Sequence, residues 1–124
     1  MSNTKIPILL ISDAPSCPSG LGRICRDIAI RIHDNLSDIY DVGTLGYGGN
    51  GDRSLAFPQY PIENMKDWFI PSIKDVWENF AGNRKGIVMT IWDSTRLFWF
   101  ARPDMHRWCP DKQIREWLMN PPFR

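Results

Sequence analysis

The sequence predicts an α/β domain, a Rossmann-like three-layer α/β/α arrangement with a mostly parallel sheet. Three observations predict it. Ile8-Leu9-Leu10-Ile11 is a continuous apolar run rather than an alternating one, as expected for a strand covered on both faces. From Gly20 the apolar spacing switches to a helical period. Strand and helix patterns then alternate along the chain, the order that builds a parallel sheet with crossover helices.

Ile6 to Ser12 is the first predicted strand. Asp13 to Ser19 follows with two prolines and two serines, and cannot be helical throughout. Leu21, Ile24, Cys25, Ile28, Ala29 and Ile32 then form one stripe of an amphipathic helix, with Arg23, Arg26, Asp27 and Arg31 off the stripe. Ser19 is its predicted N-cap, because its hydroxyl can accept from a first-turn amide. Ile39 to Leu45 is a second, more mixed strand, completing a strand–helix–strand unit.

Gly46 to Ser54 holds four glycines and is expected to be a loop. Phe57 to Ile62 carries Pro58 and Pro61, which limits it to a short edge strand or an extended segment. Asn64 to Phe69 is expected to form a helical turn. A second amphipathic helix has Pro71 at its first position, Ile73, Val76, Trp77 and Phe80 on its apolar face, and Gly82 at its end. Gly86 to Trp92 is a third strand. Short helices are expected over Thr95 to Ala101, stopped by Pro103, and over Gln113 to Met119.

At 124 residues the chain is one domain, and three or four strands make a thin sheet. This points to one half of a larger architecture, or a truncated one. A net charge of +1 provides no general attraction to nucleic acid, and no apolar run approaches the ~20 residues of a membrane span. Asp13 interrupts the first apolar stretch before a secretory h-region could form. Cys17, Cys25 and Cys109 are odd in number and lie at no metal-ligand spacing with each other or with His33 and His106. They are expected to be buried or tolerated thiols, with a reactive Cys17 as the alternative. Together these features point to a cytoplasmic protein without a bound metal or cofactor.

Ligands of open α/β sheets bind outside the carboxyl ends of strands. Two segments fall there: Asp13 to Arg23, and Asp93-Ser94. In the first, Gly20-Leu21-Gly22-Arg23 opens a helix whose unpaired amides and partial positive charge suit an anion, and Arg23 adds a fork of donors. The glycines either let a ligand approach or permit tight helix–strand packing. The nicotinamide-dinucleotide pattern fits poorly. Cys25 stands at its third glycine, its first glycine comes too late, and Gly46-Tyr47 replaces the acidic ribose partner. No Gly-Lys-Ser/Thr occurs, which excludes a Walker-type loop.

The run Ile8-Leu9-Leu10-Ile11-Ser12-Asp13-Ala14-Pro15, then Pro18-Ser19-Gly20-Leu21-Gly22-Arg23 and Ile28-Ala29, resembles the opening of GT-B fold glycosyltransferases, in particular their retaining, glycogen-synthase-like group. Tyr40-Asp41-Val42 is similar to that group's second-strand entry, so the resemblance spans roughly residues 6 to 47, with weaker support at Gly86 to Asp93. It implies an amino-terminal, acceptor-side domain working on a nucleotide-sugar donor and a sugar or other acceptor. Asp13, Ser19, Gly20, Gly22 and Arg23 would then face the donor's diphosphate and the acceptor. Asp93 would sit near the reacting sugars, where many relatives place a histidine or an acid. It either contacts sugar hydroxyls or caps the Thr95 helix. The family's carboxyl-terminal domain, which holds most of the sugar-nucleotide site, has no counterpart in these 124 residues, so the chain alone is expected to be inactive.

Six tryptophans complete the picture: Trp68, Trp77, Trp92, Trp99, Trp108 and Trp117. Leu97-Phe98-Trp99-Phe100 cannot all face one side of a helix. Sugar stacking is one reading; core packing of Trp77 and Trp92, with the rest against another domain, is the other. Two further functions stand beside the transferase: a non-catalytic Rossmann-like module binding an anion or nucleotide through Ser19 to Arg23, and an interaction module docking a protein through its aromatic carboxyl-terminal third.

Overall fold

The computed structural model describes residues 5–48, 51–62, 70–91, 113, 116–117 and 121–123. The elements run β1 (Ile6–Asp13), α1 (Gly20–Leu36), β2 (Tyr40–Tyr47), β3 (Gln59–Pro61), α2 (Ile70–Ala81) and β4 (Ile87–Ile91). The four strands form one sheet in the order β3-β2-β1-β4, and every pairing is parallel. The α/β class and the Rossmann-like layering read from the sequence hold.

β1 is central, and its unbroken apolar run has a direct cause. Ile8 and Leu10 pack with Cys25, Ala29 and Ile32 of α1, while Leu9 and Ile11 pack with Ile73, Trp77 and Phe80 of α2. Successive residues of a strand point to opposite faces, and here each face is covered by a helix. Each such side chain taken out of water contributes about 1.5–3 kcal/mol before entropy is counted. From β1 the chain steps outward to β2 and β3, then crosses back to place β4 on the other side of β1. Right-handed crossovers in opposite directions send the two helices to opposite faces.

Several boundaries differ from the sequence expectation. β2 runs to Tyr47 instead of stopping at Leu45, because Gly46 and Tyr47 continue the ladder opposite Ser12 and Asp13. Gly46 therefore belongs to the strand, not the loop; a Cβ there would lie 2.4 Å from the Ala14 Cα. The buried face of α1 is centred on Gly22, Cys25, Ala29 and Ile32, and Ile24 is 48% exposed, so it leaves the expected stripe. The helix is turned so that Gly22 meets the β1 loop, which carries Ile24 round to solvent.

The edge strand expected near Phe57 is β3, bounded by Pro58 and Pro61. It is reached from β2 without a helix among the described residues; Leu55 and Phe57 instead cover the α1 face. Gly82 ends α2 with φ +62, as a left-handed C-terminal residue does. Gln113, Glu116 and Trp117 are helical. The expected elements at Asn64 to Phe69 and Thr95 to Ala101 lie outside the described residues, as do Trp68, Trp92, Trp99 and Trp108. Among the described residues, no helix is long and apolar enough to cross a membrane.

Candidate functional site

The strand order creates a topological switch. The chain steps from β1 to β2 and β3 on one side and then crosses back to place β4 on the other, so the order reverses between β1 and β4. Ser12 fastens the two strands. Its buried hydroxyl lies 2.9 Å from the Ile91 carbonyl oxygen of β4 and 3.4 Å from the Leu21 carbonyl of α1.

Beyond Ser12 the loop is folded on itself. The Ala14 amide donates to the Tyr47 carbonyl, Cys17 to Ala14 and Ser19 to Cys17, each at 2.8 Å. Two prolines stop this stretch from joining the helix, so α1 starts at Gly20. Ser19 is the N-cap, with extended backbone (φ −130, ψ 162) and a hydroxyl that accepts from the Gly22 amide at 3.0 Å. The same hydroxyl donates to Asp13 Oδ2 at 2.7 Å. Asp13, Ser19 and the helix end therefore form one hydrogen-bonded chain, with a carboxylate held near the positive end of α1.

The two glycines separate. Gly22 is buried, and a Cβ on it would stand 2.6 Å from the carbonyl oxygens of both Ala14 and Cys17. Its role is close packing of helix on loop. Gly20 is exposed and meets nothing within 4 Å. The Gly22 and Arg23 amides are taken by the hydroxyl and carbonyl of Ser19. Those of Gly20 and Leu21 have no hydrogen-bond partner among the described residues. Thus one side of the helix end is closed by its own cap and the other is open.

On the open side lies a groove of about 820 Å³, lined by Pro15 to Gly20, Arg23, Arg26, Gly51, Asp52 and Arg53. Arg26 and Asp52 approach to 3.9 Å, a loose exposed pair of little energetic weight. Hydrogen bonds from Ser54 hold the Asp52 carboxyl below its ordinary range. Among the described residues, Arg23 and Arg53 have no ion-pair partner. Three guanidiniums facing one carboxylate give the groove a cationic field.

The sequence singled out Asp13, Ser19, Gly20, Gly22 and Arg23, and all five come together at this loop. Asp93 lies outside the described residues. Arg26 and Arg53 were missed. Arg26 reads as a solvent-facing helix position, and Arg53 sits in a glycine-rich loop that only the β2–β3 crossover brings over α1. Of the cysteines, Cys25 is fully buried; burial first, and then the Asp13 carboxylate, push its thiol up to about 12. Cys17 is half-buried on the groove wall. No group of three or more His, Cys, Asp or Glu side chains suited to a metal occurs among the described residues.

No protein-family model, curated protein or solved structure matches the chain.

Proposed function

We propose that the chain is the amino-terminal, acceptor-side half of a GT-B glycosyltransferase, which moves a sugar from a nucleotide-sugar donor to an acceptor. In this reading the groove beside α1 holds the donor's diphosphate. The observation that carries it is the open Gly20 end of α1 on a groove lined by Arg23, Arg26 and Arg53, between the loops that follow β1 and β2. Oriented amides, a helix dipole and planar donor forks are what a diphosphate needs, and a leaving nucleoside diphosphate gains most from them as charge develops.

Asp13 has a distinct part. Its carboxylate fixes the Ser19 hydroxyl and sets a negative group beside the anion site, suited to accept from a sugar hydroxyl. Asp93 is retained as the candidate closest to the reacting sugars. The partner half would supply the remaining nucleotide contacts.

A second reading has its own support: every groove-lining residue comes from this one domain, so anion binding needs no second half. The chain would then be a non-catalytic Rossmann-like binding module.

Two measurements decide. Calorimetric titration of the chain with uridine diphosphate and with inorganic pyrophosphate should show binding that Arg23→Ala weakens about tenfold. No binding to either, or equal binding by the variant, removes both readings. Sugar transfer by the chain joined to the next α/β segment of its reading frame establishes the transferase. Binding with no such segment and no transfer establishes the module.

A further inference from the structure

Asp52 is the odd member of the arginine groove. It lines the wall with Arg23, Arg26 and Arg53, and is the one carboxylate among the described residues that do so. An ionised carboxylate repels phosphate. Its presence in an anion groove works against the ligand unless that ligand also brings a hydrogen-bond donor.

The fold does not need this charge. Asp52 Oδ1 accepts from the Ser54 amide at 2.9 Å and from the Ser54 hydroxyl at 2.6 Å. The Asp52 backbone is held separately by Gln59, whose Oε1 accepts from the amide at 2.9 Å and whose Nε2 donates to the carbonyl at 2.7 Å. An asparagine at this position would keep all four bonds, because they use one side-chain oxygen and the main chain. The Ser54 bonds also hold the carboxyl below its ordinary range, so it is ionised at neutral pH.

That leaves Oδ2. Arg26 approaches it only to 3.9 Å, outside hydrogen-bonding reach, and both side chains are partly exposed. With Oδ1 filled by Ser54, the two oxygens cannot together grip a flat two-donor edge such as that of guanine. A hydroxyl fits the single free oxygen. The loop that carries it is tied across the groove, since the Gly51 amide donates to Ser16 Oγ of the β1 loop at 3.2 Å. One groove therefore offers guanidiniums and open amides to phosphate, and beside them a charged acceptor for a hydroxyl.

We infer that Asp52 Oδ2 accepts a hydrogen bond from a ribose hydroxyl of a nucleoside diphosphate whose phosphates lie on the arginines of the same groove. This rests on the reading that the groove holds a diphosphate, and adds the residue that tells a nucleotide from a bare anion.

The test is calorimetric titration of the chain, and of Asp52→Asn, with uridine diphosphate, its 2′,3′-dideoxy analogue and inorganic pyrophosphate. The unaltered chain should bind uridine diphosphate about tenfold more tightly than the dideoxy analogue, as one charge-assisted hydrogen bond provides. In Asp52→Asn that preference should shrink to about threefold or less, while pyrophosphate binds as well as before or better because a repelling charge is gone. Retained pyrophosphate binding also shows that the variant is folded. Equal binding of the two nucleotides by the unaltered chain overturns the inference, as does a preference that Asp52→Asn leaves intact, and both results leave diphosphate binding in place. No binding of any of the three ligands removes the diphosphate reading and the inference with it. The dideoxy comparison is made on the unaltered chain, so it decides the matter even where the variant does not fold.

Discussion

Gly22 and Gly20 stand two residues apart at the start of one helix, and adding a methyl group to each should have opposite effects. In Gly22→Ala the new Cβ meets two carbonyl oxygens at 2.6 Å, about 0.8 Å short of ordinary contact. Both are backbone atoms, and both already accept turn bonds at 2.8 Å, Ala14 from Cys17 and Cys17 from Ser19. Neither can retreat without loosening the loop. Overpacking of this kind costs about 1–3 kcal/mol, weakened turn bonds add roughly 1 kcal/mol, and better helix propensity returns at most about 1 kcal/mol. The net loss should be about 1.5–3 kcal/mol. Gly20→Ala meets nothing within 4 Å and takes freedom from the unfolded chain, so it should be neutral or stabilising by up to about 1 kcal/mol. Urea unfolding followed by circular dichroism separates the two, because a loss of 2 kcal/mol moves the midpoint by about 1 M. Gly22→Ala within 0.5 kcal/mol of the unaltered chain (about the scatter of neutral surface changes), or Gly20→Ala equally damaging, would refute the packing assigned to this helix end.

Three further predictions follow from the same structure. Ser19→Ala removes the cap on Gly22 and the partner of Asp13, and should cost about 1–2 kcal/mol in the same urea assay, whereas Ser19→Asn should recover most of it. Arg84 donates to the carbonyls of Phe80 and Ala81 at the end of α2 and to Asp41 of β2, so Arg84→Ala should lose about 1–3 kcal/mol; a smaller midpoint change would make these bonds ornamental. The Cys25 thiol rises from 9.0 to about 12 on folding, so its contribution is full below pH 9 and is lost as pH climbs toward 12, at about 1.4 kcal/mol per pH unit. Stability should therefore fall more steeply with pH in this window for the unaltered chain than for Cys25→Ala, and parallel curves would contradict the burial of that thiol.

Most of the fold was legible in the sequence because β1 and α1 bury unbroken or periodic apolar faces, and burial leaves a pattern. The α2 helix announced both its proline start and its glycine end. What stayed hidden depends on contacts between distant segments. Gly46 looks like a loop residue until Ser12 pairs with it, and Ile24 looks like core until Gly22 fixes the helix rotation. In the site, Asp13, Ser19 and Arg23 cluster locally and could be read along the chain. Arg53 could not, since it reaches the groove only through the β2–β3 crossover.

The central position of β1 sets an order on how the molecule is made. Its apolar residues are synthesised before those of the other strands, and its second neighbour, β4, arrives much later: Ser12 and the Ile91 carbonyl it holds are 79 residues apart. During translation the strand has one flank that nothing can yet occupy, and an open, apolar strand flank is a template for pairing with other chains. The nascent chain must keep that flank shielded until Ile87–Ile91 has cleared the ribosome. A slow stretch of synthesis between α1 and β4 would lengthen the exposure, so misassembly of this domain should depend on translation speed more than on the stability of its finished form.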